Sequence, residues 1–194
     1  LEVTDVAPGT YYILIERNGG QGGYKLSYKF TPLSAQYPND NEPNDSYDKA
    51  SFVKRGNTVT GQLGYYYWDN RDTKDYHKIE VPRNGTIKLT LAPKGELSIT
   101  YMTLYALKDG KLNQRNYIYL GNGDTKTLEV DNVAPGTYYI LVERNGGQGG
   151  YTLQYIFEQN PYATDVEPND TYDKAISLAK GNTVAGHLGY YYWD

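Results

Sequence analysis

The segment LEVTDVAPGTYYILIERNGGQGGY at Leu1 to Tyr24 returns as LEVDNVAPGTYYILVERNGGQGGY at Leu128 to Tyr151. A second pair, EPNDSYDKASFVKRGNTVTGQLGYYYWD at Glu42 to Asp69 and its counterpart at Glu167 to Asp194, sets the period at about 125 residues. That is far longer than the period of a solenoid, in which each repeat is a single supersecondary unit. Each repeat here is large enough to be a domain with its own core. The sequence therefore predicts one complete unit over 38–158. It is flanked by the C-terminal strands of a preceding repeat in 1–30 and the N-terminal part of a following one in 162–194.

Hydrophobic residues make up 39% of the chain, enough for one core per unit, and the formal charge is -4. Basic residues are scattered among acidic ones, so no stripe exists for phosphate binding, and a nucleic-acid partner is not expected. No apolar stretch approaches the length of a membrane-spanning helix. The absence of cysteine fits the cytosol and equally fits bacterial exported proteins that do without disulfides. The unusual number is 23 tyrosines. Tyrosine favours strands and offers a flat ring with a polar tip, which suits a sandwich with one wet face or an adhesive surface.

Alternation of period two dominates and helical periodicity is missing. Ile87, Leu89 and Leu91 alternate with Thr86, Lys88 and Thr90, as in a half-buried strand. Leu97 to Leu107 is apolar on both faces, as in a central strand, and Lys108-Asp109-Gly110-Lys111 supplies a tight turn after it. Tyr117 to Leu120 and Thr127 to Val130 read as further strands. Thr137 to Glu143 and Tyr151 to Phe157 read as the two arms of a hairpin joined by the glycine-rich Asn145 to Gly150. Other breaks fall at Pro82 to Gly85, Ala92 to Gly95 and Ala134 to Gly136, while Ser46 to Ala50 is the one place for a helical turn. Strands with turns every ten residues or so predict an antiparallel, jelly-roll-like β-sandwich.

The acidic segment Asp40-Asn41-Glu42-Pro43-Asn44-Asp45 packs three carboxylates and two amides into six residues, and Asp165-Val166-Glu167-Pro168-Asn169-Asp170 repeats the pattern. Calcium takes six to eight oxygens from such groups, and a short stiff segment can supply half of them. Asp72 and Asp75 are candidates for the rest. The alternative is a solvated acidic linker whose groups never converge.

These residues, with Gly61-Gln62-Leu63, Asp72-x-x-Asp75-Tyr76-His77-Lys78-Ile79, Pro82-Arg83-Asn84-Gly85-Thr86 and Pro135-Gly136-Thr137-Tyr138-Tyr139-Ile140, resemble the bacterial pre-peptidase C-terminal domain family. That group includes the collagen-binding domains of clostridial collagenases. The resemblance implies a secreted, non-catalytic jelly-roll sandwich, often attached to a protease, with calcium at its N-terminal linker. Carried over by position, the ligands would be Asp40, Glu42, Asn44, Asp45, Asp72 and Asp75, with Asp165, Glu167, Asn169 and Asp170 as counterparts in the next repeat. Tyr65-Tyr66-Tyr67-Trp68-Asp69 is an atypical insert that lengthens the loop before Asp72.

Catalysis is disfavoured by the repeat itself. His187 falls opposite Gln62, so that histidine is no repeated general base, and His77 lies in a strand pattern where a structural role is expected. No nucleophile-elbow or zinc-protease motif occurs. Two non-enzymatic readings remain: a module adhering to collagen, another matrix polymer or the cell wall through Tyr65, Tyr66, Tyr67, Trp68, Tyr101 and Tyr105, or a link in an extracellular or cell-surface bacterial stalk or fibre. In either, the terminal pieces are expected to pair with another copy, because each lacks the middle strands of its unit.

Overall fold

The computed structural model describes residues 1–3, 6, 10–32, 37–67, 70–162, 169–186 and 188. Its ordered core begins with a 3-10 turn at Tyr47–Lys49 and continues through eleven strands. In chain order these are β1 (Ser51–Phe52), β2 (Thr58–Leu63), β3 (Tyr66–Tyr67), β4 (Asn70–Arg71), β5 (Lys74–Val81), β6 (Gly85–Pro93), β7 (Ser98–Lys108), β8 (Lys111–Asn122), β9 (Lys126–Val133), β10 (Gly136–Gly146) and β11 (Gly149–Gln159). Among the described residues no helix is long and apolar enough to cross a membrane.

One sheet runs β1-β5-β10-β7-β8 and the other β2-β11-β6-β9, while β3 and β4 form a separate two-strand ladder. The eight long strands thus divide four and four, β5, β7, β8 and β10 in one sheet and β2, β6, β9 and β11 in the other, crossing between sheets at every connection except the β7–β8 hairpin; all pairs are antiparallel except the short β1–β5 pair. Inward residues follow the predicted alternation. From one sheet come Ile79, Val81, Met102, Leu104, Tyr138, Ile140 and Val142; from the other, Ile87, Leu89, Leu91, Tyr151, Leu153 and Tyr155, all in one buried cluster. Each such side chain contributes roughly 1.5–3 kcal/mol on burial, so this cluster is what holds the two layers face to face.

The sequence reading needs one correction here. Thr137 to Glu143 and Tyr151 to Phe157 are not arms of a hairpin: β10 pairs with β5 and β7, whereas β11 pairs with β2 and β6 in the opposite sheet. The glycine-rich connection is a corner that carries the chain across the sandwich. Its glycines are required by close approach as well as by conformation. Gly147 has φ 64°, and a Cβ there would sit 1.8 Å from the Glu96 carbonyl oxygen.

By contrast, Lys108 to Lys111 does form the predicted hairpin between β7 and β8, with Asp109 at φ 51° and Gly110 at φ 71°. Positive φ at both central residues is the turn twist that matches two antiparallel strands. β8 extends well beyond Tyr117 to Leu120, and the described residues between 10 and 32 carry no strand.

Candidate metal centre

The segment ahead of the sandwich is strapped across one end of it. Asn39 Oδ1 accepts from the Thr60 amide at 3.3 Å and Asp40 Oδ2 from the Gln62 amide at 3.0 Å, both on β2. Four residues on, the Asn44 carbonyl accepts from the Tyr76 amide of β5 at 3.0 Å. The strap therefore ties one sheet to the other. Within it, Asn44 Nδ2 donates to Asp40 Oδ1 and the Asn44 amide to Glu42 Oε2, each at 3.0 Å; the Glu42-Pro43 peptide is cis.

Asp72 and Asp75 arrive from the other direction. The Tyr65 to Arg71 loop closes on itself through Asp72 N to Tyr65 O at 2.8 Å, Gly64 N to Asp72 O at 2.9 Å and Arg71 Nε to Gly64 O at 2.8 Å. Asp75 is an inward residue of β5, so it points between the sheets beneath the strap. Carboxylate oxygens of Asp40, Glu42 and Asp75 lie within 4.8 Å of one another. Asp72 is 3% exposed and Asp75 is fully buried.

Among the described residues no ion pair is made to this group. The ion pairs among the described residues lie elsewhere, at Lys74–Glu143, Lys78–Glu80, Lys88 with Glu129 and Glu158, and Lys126–Asp124. Arg71 instead lies over the Tyr66 ring, 5.1 Å from its centroid.

The electrostatic consequence is large. Burial, with the charge of Glu42, raises Asp40 to about 8. Burial, reinforced by the charges of Glu42, Asp45 and Asp40, raises Asp72 to about 9. Asp75 is raised well above the ordinary carboxylate range, first by desolvation and then by Asp72 and Asp40, and Glu42 is raised chiefly by burial. Two carboxylates 4.8 Å apart repel by ~3.5 kcal/mol at an effective dielectric near 20. Such a group needs protons or a cation.

The donor set suits a hard cation. Glu42 Oε1, Asn44 Oδ1, both oxygens of Asp72 and Asp75 Oδ1 are buried without a hydrogen-bond partner, and Asp40 adds its own carboxylate beside them. These are carboxylate and amide oxygens of the kind calcium takes in numbers of six to eight, with none of the nitrogen or sulfur that zinc prefers.

Sequence reasoning expected a structural role for His77 but missed Tyr151, with which it supports the site from beneath. Tyr151 comes from β11 in the opposite sheet, and its hydroxyl donates to Asp75 Oδ2. The same oxygen lies 2.6 Å from His77 Nε2, which must then be the donor. Desolvation lowers His77 to about 4, so the imidazole is neutral, with its proton on Nε2. Tyr151 can lie there only because its register partner is Gly61, where a Cβ would stand 2.2 Å from the tyrosine ring. One signal was available: Asp75 and His77 interrupt the otherwise apolar inward register of Ile79 and Val81 on β5.

The remaining candidates are distributed. Asp45 is exposed, acting on the cluster through its charge on Asp72 and Glu42. Asn169 is half-buried and Asp170 exposed, with no acidic cluster around them among the described residues; Asp165 and Glu167 lie outside the described residues. Tyr65 is half-buried, Tyr66 is exposed, Tyr67 is placed on β3, and Trp68 lies outside the described residues. Tyr101 stands on the outer face of the five-stranded sheet between Tyr117 and Tyr119, with ring centroids 5.6 and 5.8 Å away. Tyr105 is beside Tyr139 in register, and Tyr47 meets Tyr139 edge-on at 5.6 Å. Sequence reasoning did not single out Tyr47, Tyr117, Tyr119 or Tyr139.

Residues 73–144 match the family described as bacterial pre-peptidase C-terminal domain. Among curated proteins, collagenase ColA of Clostridium perfringens is 28% identical over 93% of this chain, and collagenase ColT of Clostridium tetani is 28% identical over 75%. The chain spans 17% and 14% of the lengths of those two relatives. Among solved structures, the pre-peptidase C-terminal domain of a Bacillus anthracis collagenase is 21% identical, covers 60% of this chain and 99% of its own, and superposes with a TM-score of 0.42.

Proposed function

We propose that this chain, whose central unit belongs to the bacterial pre-peptidase C-terminal domain family, is a non-catalytic, calcium-stabilised link in an extracellular or cell-surface bacterial protein. The observation that carries this reading is the convergence of the strap and the β5 loop on a set of buried, unpartnered oxygens. Asp40, Glu42, Asn44, Asp72 and Asp75 would hold the ion, with Asp45 contributing charge from the rim. Calcium there supplies the positive charge that the protein itself withholds. The chain's own residues do the rest: the strap bridges both sheets, Tyr151 fixes Asp75, and His77 fixes Tyr151.

Because four of the six candidate residues sit on the connector that precedes the sandwich, a bound ion would fasten that connector to the fold and stiffen the joint between units. The terminal repeats would allow copies of the chain to associate. The test is a calcium titration by calorimetry on the wild type, Asp45→Ala and Asp75→Ala. The reading expects Asp75→Ala to lose most of the binding and Asp45→Ala to weaken it. Unchanged binding in both removes the site.

A second reading, adhesion to collagen or another matrix or cell-wall polymer, is favoured by the outer sheet face around Tyr101, Tyr105, Tyr117 and Tyr119. Rigid aromatic rings make strong contacts at low entropic cost. Pull-down against collagen and insoluble polysaccharides tests it, and equal loss of all polymers in the wash would count against it.

A further inference from the structure

Beside the acidic cluster two arginines are held together, and among the described residues neither enters an ion pair. Arg71 comes from β4 and Arg144 from β10, where the register with β7 shifts on both sides of Arg144. Such irregularities re-aim a side chain. The Arg144 amide donates to the Thr73 carbonyl at 3.0 Å, which sets it against the segment that carries Arg71. Each guanidinium is then fixed by one nitrogen: Arg71 Nε donates to Gly64 O at 2.8 Å and Arg144 Nε to Gly147 O at 2.6 Å. The two acceptors are neighbours, since a Cβ on Gly64 would meet Gly147 O at 2.5 Å. Tyr66, the register partner of Arg71, lies under its guanidinium and is 45% exposed. Arg144 is held below its ordinary value, first by desolvation and then by the charge of Arg71, so the two cations are close enough to feel each other. Asp72 does not relieve them: its charge is the smallest influence on Arg144, and neither of its oxygens has a hydrogen-bond partner.

We propose that Arg71 and Arg144 form a binding site for a phosphate monoester or sulfate ester group, with Tyr66 beneath Arg71. The proposal deepens the adhesive reading, on which it rests for the polymer that would carry the group. Two like charges anchored side by side are stabilised by an anion shared between them, and anchoring through Nε fixes both before the anion arrives, which lowers the entropic cost of binding. Each guanidinium keeps its two Nη nitrogens for the ligand. A carboxylate has two oxygens and one charge, and a single guanidinium fork satisfies it. Two forks suit a tetrahedral group with three terminal oxygens, which a phosphate monoester and a sulfate ester both offer.

The test is a titration of the full chain with glucose 6-phosphate, glucose 6-sulfate and glucuronate at constant ionic strength, read at the arginine Nε resonances by proton–nitrogen NMR. Chelator is present throughout, so that no metal-bound ester contributes. Saturable shifts at Arg71 and Arg144 are expected for the esters, with affinity about ten-fold above that for glucuronate. Arg71→Gln and Arg144→Gln should each weaken ester binding about ten-fold, as loss of one charge-assisted pair does. Lys111→Gln, at the other end of β7 from Ser98 and its partner Gly146, should leave binding unchanged. If Arg144→Gln fails to fold, the exposed Arg71→Gln carries the test. Ester binding unchanged in Arg71→Gln, an equal loss in Lys111→Gln, or glucuronate bound as tightly as the esters overturns the proposal. Pull-down separates it from the adhesive reading: polymer retained by a chain that binds neither ester overturns the site and leaves adhesion standing, whereas ester binding without retention of any polymer upholds the site and counts against adhesion.

Discussion

Replacing Asp72 by asparagine should make the cation-free protein more stable and the calcium-loaded protein less so. Asp72 is 3% exposed and, without a metal, titrates at about 9 in the fold against an ordinary 3.8. The folded state therefore holds a proton at pH 7 that the unfolded chain releases. Holding it costs ~4.4 kcal/mol, from about 1.36 kcal/mol for each pH unit above the unfolded value. For a carboxylate with a raised folded value, its contribution is most favourable below pH 4 and is lost as pH rises towards 9. Asparagine keeps the shape and removes the charge, so in chelator Asp72→Asn should exceed the wild type by up to ~4 kcal/mol at pH 7 and match it near pH 4. Added calcium stabilises the wild type in proportion to the logarithm of its concentration over the dissociation constant, and the variant much less. Urea denaturation at pH 4 and 7, with chelator and with calcium, reads all four states. A variant less stable than the wild type in chelator at pH 7, or equal stabilisation of both by calcium, refutes the reasoning.

Three further outcomes follow from the same geometry. Tyr151→Phe leaves His77 Nε2 without its acceptor and Asp75 without its donor, so it should lower stability by about 1–3 kcal/mol and weaken calcium binding in calorimetry. Gly147→Ala forces a Cβ into the Glu96 carbonyl at positive φ; loss of at least ~3 kcal/mol or failure to fold is expected by thermal denaturation, whereas Gly110→Ala, where no neighbour crowds the added carbon, should cost less. On the adhesive reading proposed above, Tyr101→Ala should reduce retention on collagen or a comparable polymer while shifting the melting temperature little, because the ring stands on the outer face.

The jelly-roll layers were legible wherever a strand buries one face. Ile87, Leu89 and Leu91 alternate as written, and Asp109-Gly110 turns as its residue types require. β8 was only partly legible. It is an edge strand, and between Lys111 and Arg115 its sequence is mostly polar, so alternation identifies little before Ile118 and Leu120. The corner between β10 and β11 was misread because a glycine-rich turn between two apolar strands is locally identical to a hairpin. Which sheet each strand joins is decided by partners up to 96 positions away, as in the pairing of Gln154 on β11 with Thr58 on β2. Asp40 to Asp45 and Asp72 to Asp75 were readable as oxygen donors. Their support was not, since Tyr151 reaches Asp75 across 76 positions of sequence and from the opposite layer.

Diffraction from crystals grown in calcium, recorded for its anomalous signal, addresses the central claim most directly. The account predicts a peak enclosed by oxygens of Asp40, Glu42, Asn44, Asp72 and Asp75, with the Tyr151 hydroxyl still on Asp75. A fully occupied calcium elsewhere, with these carboxylates paired only to water or to protons, would contradict it.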